Sequence, residues 1–195
     1  MTTGVRVLET VHVIVLGVWF GVLGMTAAVA AIIFPAMRSL EPAFGQFSRY
    51  EGAHADLGAG FIQARVFAAA DMVQFAAALL AMLNLTGAMV LQRNLKSMWT
   101  MIRCVLLACA VAMLSYHLFI LAPRMDSNAR VYWEAAAAGE SDRAHESHEA
   151  FMRDHPAATR TMMFLGVFVA GTLFASTWSL SGERAAKRRG EGSRL

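Results

Sequence analysis

Four stretches without a formally charged residue, 10–37, 72–91, 104–122 and 161–181, set what this chain can fold into. Each is near or above the ~20 residues that a helix needs to cross hydrocarbon. Inside lipid every backbone N–H and C=O has to be paired, which apolar runs of this kind achieve as helices. Hydrophobic residues make up 57% of the chain and charged ones 16%, against roughly 45–50% and about 25% in ordinary soluble domains. The surplus apolar surface needs lipid to cover it. The expected fold class is therefore all-α: a four-transmembrane-helix bundle forming one integral membrane domain over residues 1–195. Its spans fall at about 8–36, 62–91, 98–122 and 157–181.

Orientation follows from lysine and arginine, which accumulate on the cytoplasmic side of membrane proteins. Arg6 precedes the first span, Arg93, Lys96 and Arg103 fill the second connection, and Arg184, Lys187, Arg188, Arg189 and Arg194 crowd the tail. Both termini and the tail 182–195 are thus expected in the cytoplasm, with multi-pass insertion in a bacterial inner membrane. The connections 37–61 and 123–156 carry many acids and are expected outside. The first apolar stretch is too long for a signal-peptide core and reads as a retained anchor. A net charge of +3 forms no basic face with interleaved aromatics, so nucleic acid is not an expected partner. The bilayer is.

The long third connection is rich in helix formers, broken at Gly139 and closed by Pro156, so short external helices are expected there, with Pro156 in the first turn of the last span. In the first connection Pro42, Gly45, Gly52, Gly58 and Gly60 favour irregular or short helical structure.

Ionisable groups inside a bilayer are costly, so each one within a span is a functional candidate. Asp71 lies six residues beyond Arg65, and His117 six before Pro123. At 1.5 Å per residue both sit about 9 Å from the outer end of their helix. Gln74 and Gln63 fall near the same helical face as Asp71, and His54 and Asp56 immediately precede that helix. The expectation is an outward-facing ligand or ion pocket of Asp71, Gln74, His117 and Gln63. His54, His117 and Asp71 form a candidate metal set, since imidazole with carboxylate can bind a metal, relay a proton or coordinate a cation. A buried pair that merely fixes helix register is the competing reading.

Other features carry less chemistry. His145, His148 and Glu149 have the spacing of a metal half-site, but also of an ordinary solvated helix face. Cys104 and Cys109 suit small buried packing residues. His12 and His117 differ in depth by about half the bilayer, which argues against one transmembrane haem between them. A haem or metal ion nearer the outer surface, on His54 and His117, stays open. Gly17 and Gly21, continued by Gly24, form a G-x-x-x-G packing face for a neighbouring helix or for a second copy through the first span. There is no hydrolase triad, phosphate-binding glycine loop or paired-cysteine redox motif, so a conventional enzyme is not expected.

The stretch VHVIVLGVWFGVLGMTAAVAAIIFPAM, with Trp19, Gly21 and Pro35, resembles the opening helix of the transmembrane protein 205-like family, which bears a domain of unknown function. The third-span ending with Pro123 and Arg130, and Phe151 with His155, resemble that family's later motifs, although Pro156 and Ala157 replace its small-residue continuation. His12, Trp19 and Gly21 are also similar to the opening helix of copper-resistance membrane proteins of the CopD type. The first resemblance implies architecture, and the second implies metal handling. Three functions follow as expectations: a small-solute, proton or metal-ion transporter, a metal- or haem-binding redox subunit, or a structural accessory protein.

Overall fold

The computed structural model describes residues 2–92 and 98–192, with side chains as far as 180. The expected basic cluster of the tail and Arg93 and Lys96 lie outside the described side chains. Among the described residues there is no strand. Helix α1 spans Thr3–Leu40, α2 His54–Gln92, α3 Met98–Tyr116, α4 Ala122–Ala138 and α5 Ser141–Gly192. A π turn, His117–Leu121, joins α3 to α4 without interruption, and a 3-10 turn, Gly45–Phe47, lies between α1 and α2. Four helical rods are long and apolar enough to cross a membrane, with mean hydropathies of 2.2, 1.9, 2.3 and 1.6 in their most apolar stretches. Their outward faces carry bare apolar side chains, among them Ile32, Val90, Phe119 and Phe174. Such a surface is stable only against lipid. The architecture is a four-helix bundle of membrane-spanning helices.

Each boundary has a local cause. After α1, Glu41 adopts a left-handed conformation (φ 44°), and Pro42 then prevents the helix from continuing. Gly139 ends α4 at φ 77°; its N–H bonds Ala136 O at 3.2 Å and that of Glu140 bonds Ala135 O at 2.9 Å, closing the last carbonyls of the helix. The helices expected around Gly139 are thus present, each as the continuous extension of a span helix. Pro156 stands inside α5 rather than in its first turn. The helix start expected at Pro156 lies at Ser141 instead, because the residues from Ser141 are already helical and leave Pro156 in the helix interior.

Contacts divide the chain into two compact units, the first Met1–Gly21, Val73–Ala112 and Phe164–Leu195, the second Val22–Met72 and Met113–Met163. The first unit buries Leu16, Trp19, Ala81, Leu107, Leu165 and Val169. Its close approaches are made by glycines that sequence reasoning passed over. A Cβ on Gly87 would meet Leu8 Cδ1 at 3.2 Å, and one on Gly171 would meet Leu106 Cδ1 at 3.2 Å. Around Gly17, Gly21 and Gly24, by contrast, nothing among the described residues lies within 4 Å of an added Cβ.

The second unit has a small core of Phe47, Leu57, Tyr132, Ala135, Ala136 and Ala144, flanked by Phe44, Tyr50 and Trp133. The Tyr50 and Tyr132 hydroxyls are 2.9 Å apart with their rings edge to face. Burial, helped by that hydrogen bond, pushes the Tyr132 phenol above its ordinary range. Gly139 anchors this core by turning α4 into α5, and a Cβ there would meet Arg49 Cβ at 2.8 Å. Gly139→Ala should cost about 1–2 kcal/mol for the left-handed backbone alone. Thermal unfolding followed by circular dichroism in detergent should show the loss.

Candidate functional site: buried ionisable pairs

In the second unit α2 carries Asp71 and the π turn begins at His117. His117 Nε2 stands 3.2 Å from both carboxylate oxygens of Asp71. The side chains are 7% and 16% exposed, so the pair is withdrawn from solvent into apolar helices. The π turn has a covalent cause. Pro123 has no N–H and its ring crowds the carbonyl four residues back, so the helix widens just ahead of it. The Ala122 N–H consequently bonds the carbonyl of His117, five residues earlier.

The other expected pocket residues go elsewhere. Gln63 donates its amide N–H to the Thr26 carbonyl at 3.5 Å, leaving its Oε1 buried without a donor. Gln74 belongs to the first unit, where it accepts the Trp19 indole N–H at 3.4 Å. His54 is consumed by its own connection: Nδ1 accepts the Phe44 N–H at 3.1 Å and Nε2 donates to the Tyr50 carbonyl at 3.1 Å. With both ring nitrogens used, His54 has no lone pair to give a metal. No group of three or more His, Cys, Asp or Glu converges among the described residues, so His54, His117 and Asp71 do not form a three-ligand set. His145 pairs with Glu149 at 3.1 Å on an exposed face, and His148 packs on the Tyr132 ring.

A second ionisable centre lies in the first unit. Arg103 donates to both oxygens of Glu9, NH1 to Oε1 at 3.0 Å and NH2 to Oε2 at 2.5 Å, with side chains only 3% and 4% exposed. His12, one helical turn after Glu9, is fully buried, with Nδ1 on the Ala81 carbonyl at 3.1 Å. Sequence reasoning counted Arg103 as a topology marker and did not use Glu9. The signal was there: Glu9 is the sole acid before Glu41, one turn from His12. Six residues into α1 from Thr3, it also matches the depth of Arg103, five residues into α3.

Two shallow clefts open elsewhere. One of about 430 Å³ is apolar, lined by Met98, Met101, Ile102, Val105 and Leu106. Another of about 370 Å³ lies beside Arg38, Glu41, Pro42 and His54. Neither is lined by Asp71 or His117.

With four apolar helices each holding buried polar groups, the chain is a multi-pass integral membrane protein. No family model, curated protein or solved structure matches it.

Removing one partner of a buried pair strands the other charge, at about 3–5 kcal/mol, whereas replacing both with apolar residues is often neutral. Arg103→Met should therefore lower the unfolding temperature sharply, and Glu9→Leu with Arg103→Met should recover most of the loss. Equal destabilisation by the single and double changes would show that the pair is not coupled.

Proposed function

We propose that the protein is a membrane carrier that exchanges a proton or small cation through the Asp71–His117 pair, reached from the outer side, with both termini in the cytoplasm of a bacterial cell. The observation that carries this reading is the pair itself. A carboxylate and an imidazole are joined within apolar helices, at a π turn, a distortion frequent at functional sites. Imidazole is the side chain whose unperturbed charge change falls between about pH 5 and 8. An adjacent carboxylate compensates the charge gained, so a proton can be taken up and released without leaving an isolated charge in hydrocarbon.

The redox reading has less to rest on. His54 uses both ring nitrogens locally, and His12 and His117 belong to different units. A purely structural role is favoured by one observation: both side chains are withdrawn from solvent, at 7% and 16% exposure.

Proton flux separates these. In liposomes loaded with a pH-sensitive dye, the native protein should dissipate an imposed pH gradient. Asp71→Asn, which keeps shape and hydrogen-bonding capacity, should fall to the rate of empty liposomes while keeping the helical circular dichroism of the native protein in detergent. Undiminished flux in Asp71→Asn, or none in the native protein, would leave the pair a structural clamp.

A further inference from the structure

Two sulfur atoms meet in the first unit, on residues that the carrier reading does not use. The Cys104 thiol on α3 donates to the Met89 thioether on α2, with Sγ and Sδ 3.5 Å apart. Both residues are half-buried, so the contact is shielded without being sealed. Cys109, five residues along the same helix and also half-buried, makes no hydrogen bond to a methionine among the described residues.

Thiol and thioether are weak hydrogen-bond partners but soft, polarizable metal ligands. Among the described residues no group of three or more His, Cys, Asp or Glu could hold a metal ion, so the four-ligand set that structural zinc takes is not offered. Charge narrows the choice further. A thiolate with a monovalent ion is neutral overall, whereas a divalent ion would leave a net positive charge among apolar helices. The spacing also fits. A metal–sulfur bond is about 2.3 Å, so two sulfurs 3.5 Å apart reach one ion with a bend between the bonds. The unbranched, flexible Met89 side chain can open that bend towards linear.

We propose that Cys104 and Met89 bind one soft monovalent metal ion, of the class of Cu(I) and Ag(I), between their two sulfur atoms. On binding, the Cys104 S–H bond breaks, its electron pair forms the sulfur–metal bond, and the proton leaves to solvent. Met89 gives a lone pair, and no electron changes hands. Met101, one turn before Cys104, lines the apolar cleft of α3 and puts a further thioether on that stretch of helix. The site does not rest on the Asp71–His117 exchange reading and stands whichever way proton flux falls.

The test is calorimetric titration of the full-length protein in detergent with silver nitrate, in chloride-free buffer. Cys109→Ser, which keeps Cys104, should bind one silver ion at least about tenfold more tightly than Cys104→Ser, since loss of even an outer-shell partner costs about 10–100-fold in metal affinity. Adding Met89→Leu, which conserves volume, should erase that difference, and zinc should not bind at Cys104. In the native chain, one equivalent of silver should protect Cys104 but not Cys109 from N-ethylmaleimide, read by mass spectrometry. Equal silver affinity at the two cysteines, an unchanged affinity with Met89→Leu, zinc bound as tightly as silver, or equal protection of both thiols would each overturn the proposal.

Discussion

Hydrocarbon offers no hydrogen bonds, so every polar group carried into these apolar helices needs a partner within the protein. That constraint explains much of the interior. Threonines and serines turn back onto their own helix, as Thr172 does to the Phe168 carbonyl and Ser176 to that of Thr172. Longer polar side chains reach across: Arg103 to Glu9, His12 to the Ala81 carbonyl, Trp19 to Gln74, His117 to Asp71. Each crossing bond fixes one helix against another where apolar packing alone would tolerate sliding, because lipid and side chain are equally apolar.

The two ion pairs satisfy the constraint differently. Glu9 and Arg103 meet as a fork on a carboxylate, a charge-assisted geometry of high directionality, and arginine stays charged at any accessible pH. It suits a fixed clamp. Asp71 and His117 share one imidazole nitrogen between two carboxylate oxygens. The proline-driven widening of the helix begins at His117 itself.

The connections are structured for a related reason. Beyond the apolar stretches α4 and the start of α5 cannot rely on lipid, so they bury a core of their own around Tyr132 and Leu57. His54 and Arg38 serve that core and its margin, His54 by bonding the backbone of its own connection and Arg38 by pairing with Asp56 at 2.7 Å. The residue type of His54 suggested chemistry, but its local geometry gives it structural work.

Hydrophobic run length and backbone hydrogen-bonding need determined the helical class and the four spans from sequence alone, because both are properties of a segment by itself. The depth arithmetic that brought Asp71 and His117 to one level was legible for the same reason: rise per residue is constant within a helix. Rotation and partner choice are not properties of a segment. Whether Gln74 turns to Trp19, whether Gly87 rather than Gly17 meets a neighbour, and whether Arg103 marks a membrane face or pairs with Glu9 depend on how helices are set against one another. Only the tertiary structure decided those, since a side chain's partner is fixed by the neighbouring helix face and not by its place in the sequence.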